Sequence, residues 1–297
     1  MKKQFLGNVY LFIAVFIWGS TFIAQSVGMD TIGPLTFLTA RCALAVLFLI
    51  PMIALTEARD IKNYISKWLN KKLWLSGALC GLSLFVASSL QQIAIVDTDA
   101  GKAGFLTALY VVLVPVLGIF WGKKPTVNVV ISILLSVVGL YLISCVGAAA
   151  IRLSDILLLL SALAFAVQIT LVDRLGGGLD SMRLNCIQCL VTGILTCLCM
   201  FLWEEPKMEA IFQCWLPLGY AGILSMGIAY SMQMMGQRWI EPNTAAIIMS
   251  LESVVAVLCG WLLLGENMSV WELSGCLLLF VAVILSQLSP IKKRRTV

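Results

Sequence analysis

The chain reads Gly77-Ala-Leu-Cys-Gly-Leu-Ser-Leu-Phe-Val-Ala-Ser-Ser-Leu-Gln91 and, 142 positions later, Gly219-Tyr-Ala-Gly-Ile-Leu-Ser-Met-Gly-Ile-Ala-Tyr-Ser-Met-Gln233. The two copies extend without a gap over residues 77–118 and 219–260. They agree in register at Gly77/Gly219, Ala87/Ala229, Ser89/Ser231, Gln91/Gln233, Ala103/Ala245, Leu109/Leu251, Val112/Val254 and Gly118/Gly260. Composition alone would not place small and polar residues in register on an apolar background, so this repeat determines the architecture.

The composition is that of a membrane protein. Hydrophobic residues make up 61% of the 297 residues and charged residues only 12%, whereas soluble domains are about 45–50% apolar and about 25% charged. We predict an all-α integral membrane protein with ten transmembrane helices, because ten apolar stretches of about 20 residues are each long enough to cross a ~30 Å hydrocarbon core. They cover residues 6–27, 34–55, 73–95, 101–121, 127–147, 153–173, 183–203, 215–237, 243–264 and 270–288.

Lysine and arginine residues determine the predicted orientation. If both termini are cytoplasmic, the inner segments hold 16 of these residues and the outer loops hold only Lys102, Arg152 and Lys207, with Arg41 inside a span. This asymmetry follows the positive-inside rule and predicts that both termini lie in the cytoplasm. We expect a multi-pass protein of a bacterial inner membrane. The net charge of +5 therefore reflects topology, and we expect no nucleic-acid partner.

An odd number of spans in each copy makes the repeat an inverted one. If each copy belongs to a five-helix unit, the second unit enters the membrane from the opposite side, and a pseudo-two-fold axis in the membrane plane relates the two. We predict a first repeat over residues 1–147 and a second, inverted repeat with a basic cytoplasmic C-terminus over residues 148–297. The third, fourth, eighth and ninth spans match best, so we expect these four to line a central cavity.

Glu252 lies near the middle of the ninth span. A carboxylate at this depth costs several kcal/mol unless it faces a cavity, has a partner or is protonated. Two functional interpretations follow, a proton-coupling group and a binding group for a substrate ammonium, beside the structural one of a carboxyl satisfied by neighbouring hydroxyls. The 142-residue offset makes Tyr110 its counterpart, so the two halves present a phenol and a carboxylate at equivalent positions.

Arg41 is the second charge inside a span, and it aligns with Gln188 at an offset of 147 residues. Structural pairing is the commoner role for such an arginine, either with Glu252 or with backbone carbonyls, and attraction of an anionic substrate group is the alternative. We expect Lys102, at the outer start of the fourth span, to extend its ammonium to the membrane interface.

The other polar and aromatic residues inside the spans form a candidate substrate-binding set. Uncharged hydrogen-bonding groups beside aromatic rings suit a small amphipathic solute, although any one of them can instead join two helices by a hydrogen bond. With Glu252, the set comprises Trp18, Thr21, Gln25, Gln91, Thr107, Tyr110, Gln168, Tyr230 and Gln233.

Three local patterns predict structural features. The glycine pairs in Gly77-xxx-Gly81 and Gly118-xxx-Gly122 have the spacing that lets helix backbones approach closely. The segment Thr56–Lys72 carries apolar residues at helical spacing among basic ones, which predicts a short amphipathic helix on the cytoplasmic membrane surface. Pro115 lies inside the fourth span without a proline counterpart in the ninth, and it predicts a kink or hinge there.

The absence of histidine narrows the chemistry. Without histidine the chain cannot form a Ser-His-Asp triad, a Cys-His pair or an HExxH zinc site, so a membrane protease or acyltransferase is disfavoured and we expect no enzyme. Cys186 and Cys189 have CxxC spacing, but no second pair accompanies them, and we interpret them as packing residues of a helix. We therefore expect no metal and no cofactor.

Several stretches resemble the EamA-type, ten-span branch of the drug/metabolite transporter superfamily. They are Trp18-Gly-Ser-Thr-Phe22, Pro34-Leu-Thr-Phe-Leu-Thr-Ala-Arg41, Ala100-Gly-Lys-Ala-Gly-Phe-Leu-Thr-Ala-Leu-Tyr110, Ser250-Leu-Glu-Ser253 and Leu264-Gly-Glu266. The resemblance covers nearly the whole chain and implies two inverted five-helix repeats with alternating access to a central site. The first copy departs at Trp121-Gly-Lys123, and the first span lacks the glutamate on which the related four-span multidrug branch relies.

From the residues and the resemblance together we expect a secondary transporter that exports amino acids or related small polar metabolites. A flippase for lipids or hydrophobic compounds, or a multidrug exporter of the same fold, is the alternative. No GxxxxGK[ST] motif is present to bind ATP. The expected partners are a small-molecule substrate and the lipid bilayer, and the expected oligomeric state is a monomer or a weak homodimer.

Overall fold

The computed structural model describes residues 2–56, 61–98, 100–120, 122, 125–144, 152–264 and 269–287. The regular structure in these ranges is entirely helical. The helices are α1 (Lys2–Met29), α2 (Pro34–Thr56), α3 (Ile61–Trp68), α4 (Lys71–Ile95), α5 (Ala100–Ala108), α6 (Tyr110–Phe120), α7 (Val127–Ser144), α8 (Leu153–Leu175), α9 (Ser181–Trp203), α10 (Met208–Gln213), α11 (Trp215–Gly219), a π-helix (Tyr220–Ala229), α12 (Tyr230–Gln237), α13 (Pro242–Met249), α14 (Glu252–Leu264) and α15 (Val270–Gln287).

The ten predicted spans are confirmed. Among the described residues, seven helical stretches are long and apolar enough to cross a membrane, and 127–142 and 273–285 are shorter apolar helices. The eighth span consists of α11, the π-helix and α12, which follow one another without a break. The basic C-terminus and residues 57–60 of the amphipathic segment lie outside the described ranges.

The packing of the helices shows the pseudo-two-fold relation between the two halves. The pairs α2 with α9 and α7 with α15 join equivalent helices of the two halves. In the first half, the third span (α4) packs on α9 and α8. In the second half, the equivalent eighth span packs on α2 through the π-helix and on α1 through the π-helix and α12. Exchanging the halves thus preserves the neighbours, and because each half crosses the membrane five times, the two repeats are inverted.

Glycine contacts reveal a shift in the register of the repeat. A Cβ on Gly81 would lie 2.9 Å from the carbonyl oxygen of Gln188, and a Cβ on Gly222 would lie 2.9 Å from that of Arg41. Gln188 and Arg41 are equivalent, so Gly222 is the structural counterpart of Gly81, at an offset of 141 residues instead of 142. The sequence match of Gly77 with Gly219 is accordingly wrong as a structural equivalence: nothing lies within 4 Å of a Cβ on Gly219, whereas Gly77 packs on Ile187.

The π-helix accounts for this shift, because a π-helix accommodates an extra residue within a continuous helix. The side-chain amide of Asn185, on α9, donates hydrogen bonds to the carbonyl oxygens of Met226 (2.8 Å) and Gly227 (3.0 Å) and to Ser231 Oγ (3.0 Å). A side chain inserted in this way satisfies carbonyls that the widened helix leaves without their usual partners. The equivalent residue of the first copy is Leu38, which has no amide to donate.

The fourth and ninth spans are both broken, at equivalent positions. The α5–α6 break is at Leu109 and the α13–α14 break is at Ser250 and Leu251, and in each the Leu N–H donates to the carbonyl three residues earlier. Pro115 therefore does not cause the break, because the ninth span breaks at the same place without a proline. Each break places its second half-helix so that it begins at Tyr110 or Glu252.

The amphipathic segment is confirmed as α3 and is held by an arginine. The guanidinium of Arg183, a fully buried residue of α9, lies 5.2 Å from the ring centroid of Tyr64 and 5.4 Å from that of Trp68. These cation–π contacts join α3 to the bundle. Gly122 does not pack helices together as its spacing predicted: it has a positive φ of 74° and nothing within 4 Å of an added Cβ, as expected of a residue that ends α6.

Candidate functional site

A partly open cavity lies at the centre of the bundle. It lies where the two broken spans meet the first, second, third, sixth and eighth spans. Its lining consists of Trp18, Phe22, Gln25, Arg41, Gln91, Thr107, Tyr110, Phe165, Gln168, Ile169, Ser225, Met226, Tyr230, Gln233, Met249 and Glu252.

Tyr110 and Glu252 meet at the pseudo-two-fold axis. The Tyr110 hydroxyl donates a hydrogen bond of 3.0 Å to Glu252 Oε1, so the two equivalent positions of the repeat contact each other directly. Both side chains are buried, at 4% and 5% exposure. Glu252 is also the first residue of α14.

Two glutamine pairs flank this contact in a nearly symmetric arrangement. Gln25 Nε2 lies 3.5 Å from Gln91 Oε1, and the equivalent pair is joined by a 3.2 Å hydrogen bond from Gln233 Nε2 to Gln168 Oε1. Gln91 also donates to the Thr107 hydroxyl at 3.2 Å. These bonds link the first span to the third and fourth, and the sixth to the eighth, around the cavity.

The second half continues its network where the first half has a charge. Gln168 donates to Gln188 at 3.0 Å, and Gln188 donates to Asn185 at 3.2 Å. The counterpart of Gln188 is Arg41, which lines the cavity and is 3% exposed. An amide embedded in a chain of hydrogen bonds on one side therefore corresponds to a cation on the other.

Arg41 and Glu252 do not form the ion pair that was one of the predicted possibilities. In the described part of the chain no carboxylate oxygen lies within the 4.0 Å ion-pair distance of the Arg41 guanidinium, and its Nε has no hydrogen-bond partner. The Phe37 ring lies 5.9 Å away. The ionisable groups that interact with this guanidinium are the Cys42 and Cys189 thiols and the Tyr230 phenol, which are all uncharged at neutral pH.

Aromatic and thioether side chains form the apolar part of the lining. Trp18 packs edge-on against Tyr230 with ring centroids 4.9 Å apart, and Phe22 and Phe165 occupy equivalent places in the two halves. Sequence reasoning missed Phe22, Phe165, Ile169, Ser225, Met226 and Met249. The offset of 143 residues that relates Gln25 to Gln168 also relates the two phenylalanines, so the repeat contained the signal needed to find that pair.

The structure brings nearly all the predicted site residues together. Trp18, Gln25, Gln91, Thr107, Tyr110, Gln168, Tyr230, Gln233 and Glu252 all line the cavity, as does Arg41. Thr21 is not among the lining residues: its hydroxyl donates to the carbonyl of Ile17 at 2.5 Å and the residue is 1% exposed. The predicted wall of four spans is incomplete, because the first and sixth spans contribute six of the lining residues.

Lys102 has a partner that the sequence did not indicate. Its Nζ lies 2.7 Å and 2.8 Å from the two carboxylate oxygens of Asp155, and Asp155 also accepts a 3.0 Å hydrogen bond from the backbone N–H of Arg152. Lys102 therefore joins the first turns of α5 and α8 instead of extending freely into the interface.

Comparison with known proteins agrees with this architecture. The model of the EamA-like transporter family matches twice, at residues 5–145 and 152–288. An uncharacterized transporter of Archaeoglobus fulgidus is 28% identical, with 96% of this chain and 87% of that protein covered. The uncharacterized transporter YoaV of Bacillus subtilis is 22% identical, with 96% and 97% covered.

A solved crystal structure superposes with a TM-score of 0.78 at 17% sequence identity, covering 95% of this chain and 96% of the other, and this similarity shows the fold alone. The family match covers both repeats and nearly the whole chain. The chain is a membrane transporter and belongs to the EamA-like transporter family.

Proposed function

We propose that the protein is a secondary transporter that exports amino acids or related small polar metabolites by alternating access to the central cavity. Eleven of the sixteen lining side chains carry hydrogen-bonding or charged groups. A cavity of this kind suits a small polar solute, whereas a path for lipid chains would leave those groups without partners.

The observation that carries the proposal is the Tyr110–Glu252 hydrogen bond between equivalent positions of the two repeats. In inverted-repeat transporters the substrate site lies near the membrane midplane, where discontinuous helices meet at the repeat interface. Tyr110 is the first residue of α6 and Glu252 is the first residue of α14, each in the second half of its span, so the polar pair lies where such a site is expected.

Glu252 acts in one of two ways in this proposal. A carboxyl that faces a cavity inside the membrane can bind and release a proton during the cycle, or its charge can attract a substrate ammonium group. The Tyr110 hydroxyl donates to Oε1 at 3.0 Å, and a proton or an ammonium that binds to this oxygen would compete with that hydrogen bond. Substrate exchange and proton coupling can thus act on the same atoms.

The proposed topology places both termini in the cytoplasm of a bacterial inner membrane, with one repeat over residues 1–147 and the other over residues 148–297. The 16-to-3 distribution of lysine and arginine supports this orientation. A reporter that matures only in the cytoplasm, fused after Val297, should be active. The same reporter inserted after Lys207 should be inactive, and the reverse result would invert the topology.

Transport by purified protein in liposomes tests the proposed function. Parent protein should exchange labelled amino acids across the membrane, and Glu252→Gln should lose exchange, proton-driven accumulation or both. If Glu252→Gln transported as well as the parent, with and without a proton gradient, the role of Glu252 would be refuted. Cells that express the protein should tolerate a toxic load of the exported amino acid, whereas increased sensitivity would indicate import.

A further inference from the structure

We infer that the central cavity recognises both ends of a zwitterion, with the α-carboxylate of an amino acid bound at Arg41 and its α-ammonium bound at Glu252. This inference rests on the proposed function and goes further, because it assigns a chemical group to each end of the site. The substrate class that it specifies is amino acids with uncharged side chains.

Arg41 is a buried cation without a counter-charge. It is 3% exposed, it lines the cavity, and its Nε has no hydrogen-bond partner. A charge buried in this way costs several kcal/mol unless a partner compensates it. The backbone around it is fixed, because Gly222 brings the π-helix into contact with the Arg41 carbonyl. An anionic ligand group is the missing partner.

Glu252 is the negative counterpart in the same cavity. Only one hydrogen bond to its carboxylate is described, the one from Tyr110 to Oε1. Both Arg41 and Glu252 line this cavity together with the Tyr230 phenol. The two charged groups are farther apart than the 4.0 Å ion-pair distance. A ligand that carries both charges on neighbouring atoms can therefore fit between them and compensate both.

Two further polar atoms in the lining have no partner. Trp18 Nε1 is a buried donor and Gln233 Oε1 is a buried acceptor, and neither has a hydrogen bond. Buried polar atoms are almost always paired in native proteins, so unpaired ones facing a cavity indicate a ligand that pairs them. One additional donor and one additional acceptor match a carboxylate and an ammonium respectively.

Sequence differences between the two repeats explain how one site has a positive charge at Arg41 and a negative charge at Glu252. The counterparts of Arg41 and Glu252 are Gln188 and Tyr110, both uncharged. An exact two-fold site would duplicate each charge, whereas this site has one of each sign. The other lining side chains are amides, hydroxyls, aromatic rings, thioethers and one isoleucine. No third charge is present in that lining to select a charged substrate side chain.

Competition in proteoliposomes tests the inference. Uptake of labelled leucine, methionine, threonine and serine is measured first, and the best of them is challenged with its unlabelled self, its amide and its N-acetyl derivative. The amide keeps the ammonium and lacks the carboxylate, and the N-acetyl derivative does the opposite. Parent protein should bind each derivative at least about tenfold more weakly than the amino acid, as expected when a hydrogen bond to a charged group is lost.

Two variants test which residue binds the carboxylate of the ligand and which binds its ammonium. Arg41→Gln should lose the discrimination against the amide and keep that against the N-acetyl derivative, and Glu252→Gln should do the reverse. Arg41→Gln should also unfold at the parent temperature or above it, because it removes an uncompensated buried charge; a lower temperature would show that Arg41 is structural and would overturn the inference. Arg41→Lys, which keeps the charge, is the comparison variant and should keep the discrimination against the amide.

Equal competition by the amide and the amino acid on parent protein would overturn the inference while leaving the proposed function intact. So would an Arg41→Gln variant that weakens all three competitors by the same factor. If parent protein transported none of the four amino acids, the inference would fail, and the proposed function would stand only if a related small polar metabolite were transported instead.

Discussion

The contact between Gly19 and the backbone of Glu252 gives the most quantitative prediction. An alanine Cβ at position 19 would lie 2.6 Å from the Glu252 carbonyl oxygen and 2.4 Å from Val255 Cβ, well inside the 3.4 Å at which ordinary contact begins. Helices α1 and α14 would have to separate by about 1 Å, at an overpacking cost of about 1–3 kcal/mol. A displacement of that size would also lengthen the 3.0 Å hydrogen bond between Tyr110 and Glu252 beyond bonding distance.

Gly104→Ala is the matched control for Gly19→Ala. Gly104, on α5, faces the same two helices, but a Cβ there would lie 3.6 Å or more from its nearest neighbours, Phe22, Ala256 and Ser253. Both variants gain about 1 kcal/mol of helix propensity, so the difference between them isolates the steric cost of about 1–3 kcal/mol. Thermal denaturation in detergent should place Gly19→Ala several degrees below Gly104→Ala, and only Gly19→Ala should lose transport. Two variants with equal stability and transport would refute the reasoning.

Three further predictions follow from other contacts. Asn185→Leu removes three hydrogen bonds to the eighth span and should lower the free energy of unfolding by about 2 kcal/mol at ~0.6 kcal/mol each; unchanged thermal stability in detergent would show that the π-helix does not need the amide. Lys102→Asp should lower thermal stability by up to about 1 kcal/mol, and adding Asp155→Lys should restore it; a double variant no better than the single would argue against the ion pair. Tyr110→Phe keeps the ring but removes the donor to Glu252, so transport should fall about tenfold while the unfolding temperature stays near that of the parent; parent-level transport would contradict the role of this hydrogen bond.

The sequence predicted the ten spans and the relation between the halves because both depend on features that survive without three-dimensional information. Span length follows from the thickness of the bilayer, and inversion follows from an odd number of spans. The 142-residue offset also related Tyr110 to Glu252 correctly, and the structure shows the two in direct contact. What could not be foreseen is that a helix break precedes each of them, because the apolar sequence through Leu109 and Leu251 reads as continuous helix.

The register of the eighth span shows where an alignment of the repeats misleads. Identity of Gly77 and Gly219 supported an ungapped match, yet the contacts of Gly81 and Gly222 differ from it by one residue. A π-helix takes up an extra residue inside a continuous helix, so no loop marks where the second copy is one residue longer. The local signal for the π-helix is the amide of Asn185, which replaces Leu38 of the first repeat. This signal can be interpreted only when the packing of α9 against the eighth span is known.

Partners of charged residues were the least predictable part of the site. Lys102 pairs with Asp155, which lies 53 positions away, and Arg41 lines the cavity without Glu252 as an ion-pair partner. Hydropathy shows that a charge inside a span needs an explanation, but it does not distinguish compensation by protein from compensation by a ligand. The packing of neighbouring helices decides that Lys102 has a carboxylate partner and that Arg41 does not form an ion pair with Glu252.

The position of a bound substrate tests the central claim most directly. A structure of the protein determined with a transported amino acid should show the ligand inside the central cavity, with its amino nitrogen at hydrogen-bond distance, about 2.7–3.2 Å, from the Glu252 carboxylate. A ligand bound in the separate cavity beside Gly176 and Arg238, with the central cavity empty, would contradict the account.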